Sequence, residues 1–395
     1  MAKKHHELKQ TKAFFTIKGN LTKTDKDDLF NVKPKDSERK YGYAGCSLSV
    51  KTTTESTLHG ITLGGCETDN VKYNYDYNDK KETLEISWKD RYDNKFITSC
   101  LPNNDVKVNL NFGKNMGLWH EKYIDKNDGN KEKEKLVTKQ LTAYDAVMEL
   151  KKAKEDGRMA DNTSVYVAGN IKPNSYSFKD DKGETHTKKS IKLEAGTFKF
   201  IKPIILSELT EDDKLKTANF DIEIVIKEFN KIENDIYLTA ILIGYDFIEE
   251  MEFKFLKKEV AEGFKGLFSQ YLQKGIYPKI RCTGVIYQEI LQEEVEVKPT
   301  GAIAFNLGEP EKCASKRKGS ARTVYAIVGG YEDSIDTESY TVENVEAAKK
   351  SLQAYLKDYK AGKTAEETKE EIKFDLGVTT SNVSMDDFED DEEWD

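Results

Sequence analysis

The sequence predicts a mainly β protein with a few helices. Two five-stranded barrels stand in tandem, the first carrying a β-rich insertion, and a C-terminal helix and a disordered acidic tail follow. Three observations lead there. Apolar residues come in short alternating runs rich in Val, Ile, Thr, Tyr and Phe, the pattern of strands with one buried face. One strand type recurs three times, as Phe15-Thr-Ile17-Lys-Gly19-Asn20-Leu21, Val165-Tyr-Val167-Ala-Gly169-Asn170-Ile171 and Ile280-Arg-Cys282-Thr-Gly284-Val285-Ile286. Each carries a glycine where a strand curling round a small barrel needs a bulge or sharp bend. The second and third copies each follow an amphipathic helix, so the same order of elements occurs twice.

The first unit spans residues 11–206. Thr11 to Lys23, Tyr41 to Thr52 and Thr57 to Cys66 are its first three strands; Ser164 to Lys172 and Lys188 to Phe200 are its last two. Residues 69–140 form the inserted subdomain, with strand signals at Leu84 to Trp88, Phe96 to Leu101 and Val106 to Phe112. The dense charge of Asp125 to Lys139 predicts a mobile loop. A helix then starts at Thr142-x-x-Asp145, turns Ala146, Val147, Leu150 and Ala153 inward, and stops at Gly157.

After a junction at Ser207 to Thr217, the second unit spans 218–335. Phe220 to Phe229, Asp235 to Tyr245 and Phe247 to Leu256 are strands, and so are Lys279 to Ile290 and Arg322 to Tyr331. Between them, Val260, Phe264, Leu267, Phe268, Tyr271 and Leu272 share one helical face, and Gly275 ends that helix. Three strands, a helix and two strands is the order of the five-stranded oligonucleotide/oligosaccharide-binding barrel. Residues 341–360 repeat apolar positions at Val345, Ala348, Leu352, Tyr355, Leu356 and Tyr359 as the C-terminal helix, and 361–395 are linker and acidic tail.

Several function classes are excluded. No run approaches the roughly 18 apolar residues that cross a bilayer, and the N-terminus lacks an apolar signal core, which predicts a cytoplasmic protein without membrane contact. In a phage-encoded protein, that compartment is the bacterial host cytoplasm. The five cysteines are scattered and lack a Cys-x-x-Cys pair, so reduced thiols are expected. Zinc on Cys46, His59, Cys66 and Cys100 matches no common spacing. Phosphate-loop, dinucleotide, zinc-protease and nucleophile-elbow motifs are missing, and His59, His120 and His186 read as surface residues. The expectation is no catalysis, no cofactor and no metal.

Binding chemistry is better represented. A single strand is held by base stacking on aromatic faces and by cations along its phosphates. Those residue types interleave at Tyr41 and Tyr43, at Trp88, Arg91 and Tyr92, at Tyr176 and Phe178, and at Lys188, Lys189 and Lys192, with Arg281 on the third repeat. Lys312 to Arg322 carries five positive charges in eleven residues without an acid, and reads as a contacting loop through Lys316, Arg317, Lys318 and Arg322.

The last ten residues, Asp386, Asp387, Phe388, Glu389, Asp390, Asp391, Glu392, Glu393, Trp394 and Asp395, hold eight carboxylates and no cation. The chain stands at −9, so the other 385 residues stand at −1. Charge this dense cannot pack into a core, and Phe388 and Trp394 give a partner something to grip.

Barrels ahead of an acidic tip with aromatics resemble the single-stranded-DNA-binding proteins of bacteria and bacteriophages. The resemblance covers most of the chain at the level of architecture. It implies coating of single-stranded DNA in replication, recombination or repair, with replication or recombination proteins recruited through the tail. Bacterial members end in Pro-Phe after the acids, whereas this chain ends Glu393-Trp394-Asp395. Two alternatives stand beside this reading. One is a non-enzymatic interaction or structural protein, such as a virion component or host-defence inhibitor. The other is a nuclease or transferase site in the insertion.

Overall fold

Strand pairing closes twice into a ring of five. The computed structural model describes residues 6–36, 39–103, 105–125, 131–179, 185–232, 235–295 and 315–360. Ring 1 uses β1 (Ala13–Thr22), β3 (Tyr43–Lys51), β4 (Thr57–Cys66), β10 (Ser164–Lys179) and β11 (Thr185–Phe200). Its circuit runs β1–β3–β4–β11–β10–β1, and only the β4–β11 contact is parallel. The short β2 (Phe30–Lys33) pairs with the start of β3.

Ring 2 repeats the circuit with β12 (Ala218–Ile232), β13 (Asp235–Ile243), β14 (Ile248–Phe255), β15 (Lys279–Val295) and β16 (Ser315–Asp336). Here β14–β16 is the parallel contact. The rings share one sheet, because β1 pairs β12 from Ala13↔Ile222 to Ile17↔Ala218, and one apolar core runs through both. Full burial of residues such as Phe15, Phe198, Phe253 and Phe268 contributes about 1.5–3 kcal/mol each.

The repeated glycines sit where strands bend. At Gly19, β1 leaves β12 and takes up β3, while the registers of β10 and β15 shift at Gly169 and Gly284. A Cβ at any of the three would collide with the neighbouring strand's carbonyl oxygen, of Lys51, Glu194 and Ala326 respectively. Close backbone approach is therefore what the repeat encodes.

Both expected barrel helices are present. α2 (Ala143–Glu155) starts at Thr142, whose hydroxyl accepts the Asp145 N–H, and buries Ala146, Val147, Leu150 and Ala153; Gly157 follows at φ 80°. α4 (Lys258–Leu272) buries Ala261, Phe264 and Phe268 before Gly275 at φ 73°. The junction holds the short α3 (Glu211–Lys216), started by a reciprocal Thr210–Asp213 cap. The last helix, α5 (Val342–Lys360), packs Val345, Ala348 and Leu352 onto Val225, Ile241, Ile243 and Ile248 outside ring 2.

The insertion lies between β4 and α2. β5 (Asn70–Tyr77), β6 (Lys80–Ser87) and β7 (Val108–Leu110) make a small sheet with its own core of Val71, Tyr73, Ile86, Ile97 and Leu110. Two expectations fail here. Phe96 to Leu101 is not a strand: Asp93 accepts the N–H groups of Lys95 and Phe96 and starts α1 (Asn94–Ser99). Most of Asp125 to Lys139 is not a loop: β8 (Lys114–Asp125) and β9 (Lys131–Leu141) form a ribbon in which Glu121 opposes Lys135 and Lys122 opposes Glu134. Opposite charges across a ladder support a strand that composition alone marks as solvated.

A third correction concerns the basic stretch. Ser315 to Arg322 is the first part of β16, paired with β15, rather than a loop; Lys312 to Ala314 lie outside the described residues. The linker and acidic tail, 361–395, also lie outside them. Among the described residues no helix is long and apolar enough to cross a membrane, and no three metal-ligating side chains gather.

Candidate nucleic-acid interface

The outer face of β3 and β4 is open and polar. Their inward positions, Leu48, Val50, Leu58, Ile61 and Leu63, are buried, which leaves Ser47, Ser49, His59, Thr62 and Gly64 on the outer side. Nine residues of β3 give the face a length of about 30 Å. At its Tyr43↔Cys66 end the Tyr43 hydroxyl lies over Gly45 and 3.2 Å from where a Cβ on Gly64 would stand.

An aromatic cluster closes that end. Tyr41 donates to Asp69 at 2.6 Å and Lys40 donates to the same carboxylate at 3.0 Å, while the Asp69 carbonyl accepts the Trp88 N–H. Trp88 meets Tyr144 edge-on with centroids 6.1 Å apart. The Arg91 guanidinium lies 4.2 Å from the Trp88 centroid and 5.1 Å from that of Tyr92. Tyr41, Trp88, Arg91 and Tyr92, from two distant stretches of sequence, are thus brought to one place.

Arg91 is not a free phosphate ligand there. It donates through Nε and Nη2 to Asp145, both at 2.8 Å, and through Nη1 to the Trp88 carbonyl at 2.6 Å. The Tyr92 hydroxyl donates to Asp145 at 2.7 Å and accepts the Thr142 N–H at 2.8 Å. Burial and the neighbouring carboxylate push the Tyr92 phenol up, so it stays protonated. Burial alone would raise Asp145, but the bonds from Arg91, Tyr92 and Thr142 hold it below the usual carboxylate range. Arg91 therefore fastens the insertion to α2, and the exposed ring of Tyr92 is what remains for a ligand.

The other end is basic. β11 runs parallel to β4 with Leu193 beside Ile61, so the residues before Leu193 extend past the Lys51↔Thr57 end of the face. In the ribbon of β10 and β11, Lys172 opposes Lys192, Tyr176 opposes Lys188 and Phe178 opposes His186. In the same ribbon Lys189 opposes Ser175. Lys192 is exposed, whereas Lys172 donates to Glu194 at 2.8 Å.

Among the described residues ring 2 gathers no comparable site. Its corresponding face, on β13 and β14, is covered by α5 at the Ile241, Ile243 and Ile248 end and carries Glu250 and Glu252; Glu250 is held by Lys227 at 2.8 Å and Lys349 at 3.5 Å. Arg281 is engaged by Asp221 at 2.8 and 2.6 Å and lies over Tyr331. Arg322 pairs with Glu252. Lys316 and Arg317 occupy positions opposite Glu294 and Glu293, and Lys318 stands opposite Gln292. The basic run thus faces an acidic strand that its own composition does not reveal. Sequence reading also missed Lys23 and Lys26 beside the ring 1 face, and Ser49 with His59 upon it. The signal that could have found them is Gly60, an isolated glycine inside a strand pattern.

Residues 77–362 match the family model described as YorF. The chain belongs to the YorF family. The matched region of this YorF protein begins at the last residue of β5 and ends past α5, so β1 to β4 lie before it. No curated protein matches the sequence. Among solved structures, the YorF chain is similar to a deletion mutant of the single-stranded DNA binding protein from Thermus aquaticus. That likeness has 8% identity and a TM-score of 0.28, over 71% of this chain and 88% of the other. Similarity to P47 of Clostridium botulinum E1 has 7% identity and a TM-score of 0.08, over 88% and 89%. Likenesses this weak carry no argument about function.

Proposed function

We propose that this YorF protein binds single-stranded DNA, without turnover, across the outer face of β3 and β4. The observation that carries the reading is the asymmetry of the rings. The ring 1 face is open, flanked by aromatics at one end and by a basic, aromatic ribbon at the other; the ring 2 face is covered at one end by the amphipathic α5 and carries carboxylates engaged by lysines and arginine. In this reading both rings are oligonucleotide/oligosaccharide-binding barrels, and only the first keeps its ligand face.

Bases stack on Tyr41, Tyr43, Tyr92, Tyr176 and Phe178, each worth about 1–3 kcal/mol, while Lys188, Lys189 and Lys192 follow the phosphates. Such a barrel covers roughly 4–16 nucleotides. The protein then coats exposed strands during replication, recombination or repair. The eight carboxylates of the tail recruit partner proteins and compete with phosphate for the basic surface when DNA is absent.

Fluorescence anisotropy with a labelled oligo-dT at two salt concentrations tests this. Binding that weakens steeply with salt is expected, and no binding at low salt would sink it. An oligo-U arm separates DNA from RNA preference.

A further inference from the structure

The strand β4 carries a built irregularity in the middle of the open face. Where β3 has the single residue Ser49 between Leu48 and Val50, β4 has two, His59 and Gly60, between Leu58 and Ile61. Gly60 takes φ 73° and a Cβ there would touch nothing within 4 Å, so glycine is present for its backbone and not for lack of room. A bulge of this kind re-aims a side chain. Here it aims the exposed His59, whose Nδ1 lies 2.8 Å from the Ser49 hydroxyl. With Nδ1 engaged, Nε2 is the ring nitrogen left to meet a ligand.

The surroundings are cationic. Lys23 and Lys26, on the connection that follows β1, act directly on the imidazole, and Lys192 on β11 stands one residue before the Leu193↔Ile61 pair, beside the bulge in register. That connection is pinned: the Thr24 N–H and hydroxyl both donate to Asp161, at 2.8 and 2.7 Å, and Lys154 donates to the Lys26 carbonyl at 3.2 Å. The stretch that carries Lys23 and Lys26 is thus fixed where their charges bear on the bulged histidine.

We propose that His59, with Lys23 and Lys26, forms a phosphate subsite that takes up a proton when a backbone phosphate of the bound strand enters it. The inference rests on the single-strand reading of the same face and adds its chemistry. Partial burial of the ring and the charges of Lys23 and Lys26 hold the free imidazole below its ordinary value, so at pH 7 and above it is mostly neutral when the site is empty. An arriving phosphodiester reverses the local field, favours the imidazolium, and receives an Nε2–H bond in return. The proton comes from solvent and returns to it on release. Affinity therefore rises as pH falls between the bound and free values of His59, and is level outside that window.

Oligo-dT affinity measured from pH 8.5 to 5.5 at fixed ionic strength tests it, with wild type beside His59→Gln and Gly60→Ala. One linked proton allows at most tenfold per pH unit, and a wild-type gain of about tenfold over the range is expected. Both variants should lose most of that slope. In calorimetry with buffers of different ionisation enthalpy, wild-type binding should take up about half a proton at the midpoint, as a tenfold gain requires, and His59→Gln should take up less. An equal slope and equal uptake in wild type and His59→Gln would overturn the subsite while leaving the single-strand reading intact. Absence of wild-type binding at every pH would overturn both.

Discussion

Asp145, at the start of α2, receives two parallel hydrogen bonds from Arg91, 54 residues earlier, each 2.8 Å long. The pair keeps only 20% and 16% of its side-chain surface exposed. Around it the Arg91 guanidinium is stacked on Trp88, the Arg91 carbonyl accepts from Tyr73, and Tyr92 reaches the same carboxylate. The small core of the insertion is thereby locked to the ring that carries the open face. The rings of Trp88 and Tyr92 owe their positions to this one ion pair.

Asp145→Ala should accordingly cost about 2–4 kcal/mol, because it strands a guanidinium in a stacked, half-desolvated position. Urea unfolding followed by Trp fluorescence would measure the loss, and limited proteolysis should show faster cleavage within 69–140. Arg91→Lys should behave similarly, since an ammonium cannot make the two-pronged contact.

Acid should act on the same lock. The Asp145 carboxyl is held below its unfolded value, near 3.9, so its contribution is full above that value and is lost as pH falls through the folded one. Protease sensitivity of the insertion should therefore rise below about pH 4 while far-ultraviolet circular dichroism of the rings persists. Loss of both signals together would show that the insertion and rings unfold as one unit.

Glycines provide a test of the ring geometry. Gly169→Ala and Gly284→Ala put a methyl against a neighbouring carbonyl and should each destabilise by about 2–3 kcal/mol. Gly263→Ala, inside α4 where a Cβ meets nothing within 4 Å, should stabilise by about 0.5–1 kcal/mol. Thermal melts of the three variants in one buffer would compare them directly. Equal destabilisation by all three would mean that helix and bulge glycines are not distinguished by the close approaches described.

These glycines also mark how far the sequence could be read. The recurring strand, both barrel helices and their Thr142 and Gly275 boundaries were legible because each rests on local spacing and local capping. β9 and the basic start of β16 were not, since five alternating charges or a Lys-Arg-Lys run read as solvated until a second strand supplies opposite charges at the facing positions. The candidate site divides the same way. Tyr41, Trp88 and Tyr92 were flagged as residue types suited to stacking, and the structure gathers them. Arg91 was misread because its partner lies 54 residues away, and Arg281 because Asp221 lies on a neighbouring strand, 60 residues away. His59 reads from sequence as a plain surface residue, because a bulge depends on what the paired strand lacks.

The two rings can be told apart by their salt dependence. On single strands each neutralised phosphate contributes about 0.7 to the slope of log affinity against log salt. Lys188→Ala/Lys189→Ala/Lys192→Ala, on the ring 1 ribbon, should therefore flatten that slope by about 2 and weaken binding regardless of base sequence. Arg281→Ala/Arg322→Ala also removes positive charge, from ring 2, yet both arginines are committed to Asp221 and Glu252, so the slope should stay within experimental error of wild type. The released carboxylates would even add slight repulsion. Titrations at four salt concentrations would decide between them, and a flattened slope in the ring 2 variant would move the contact surface onto ring 2.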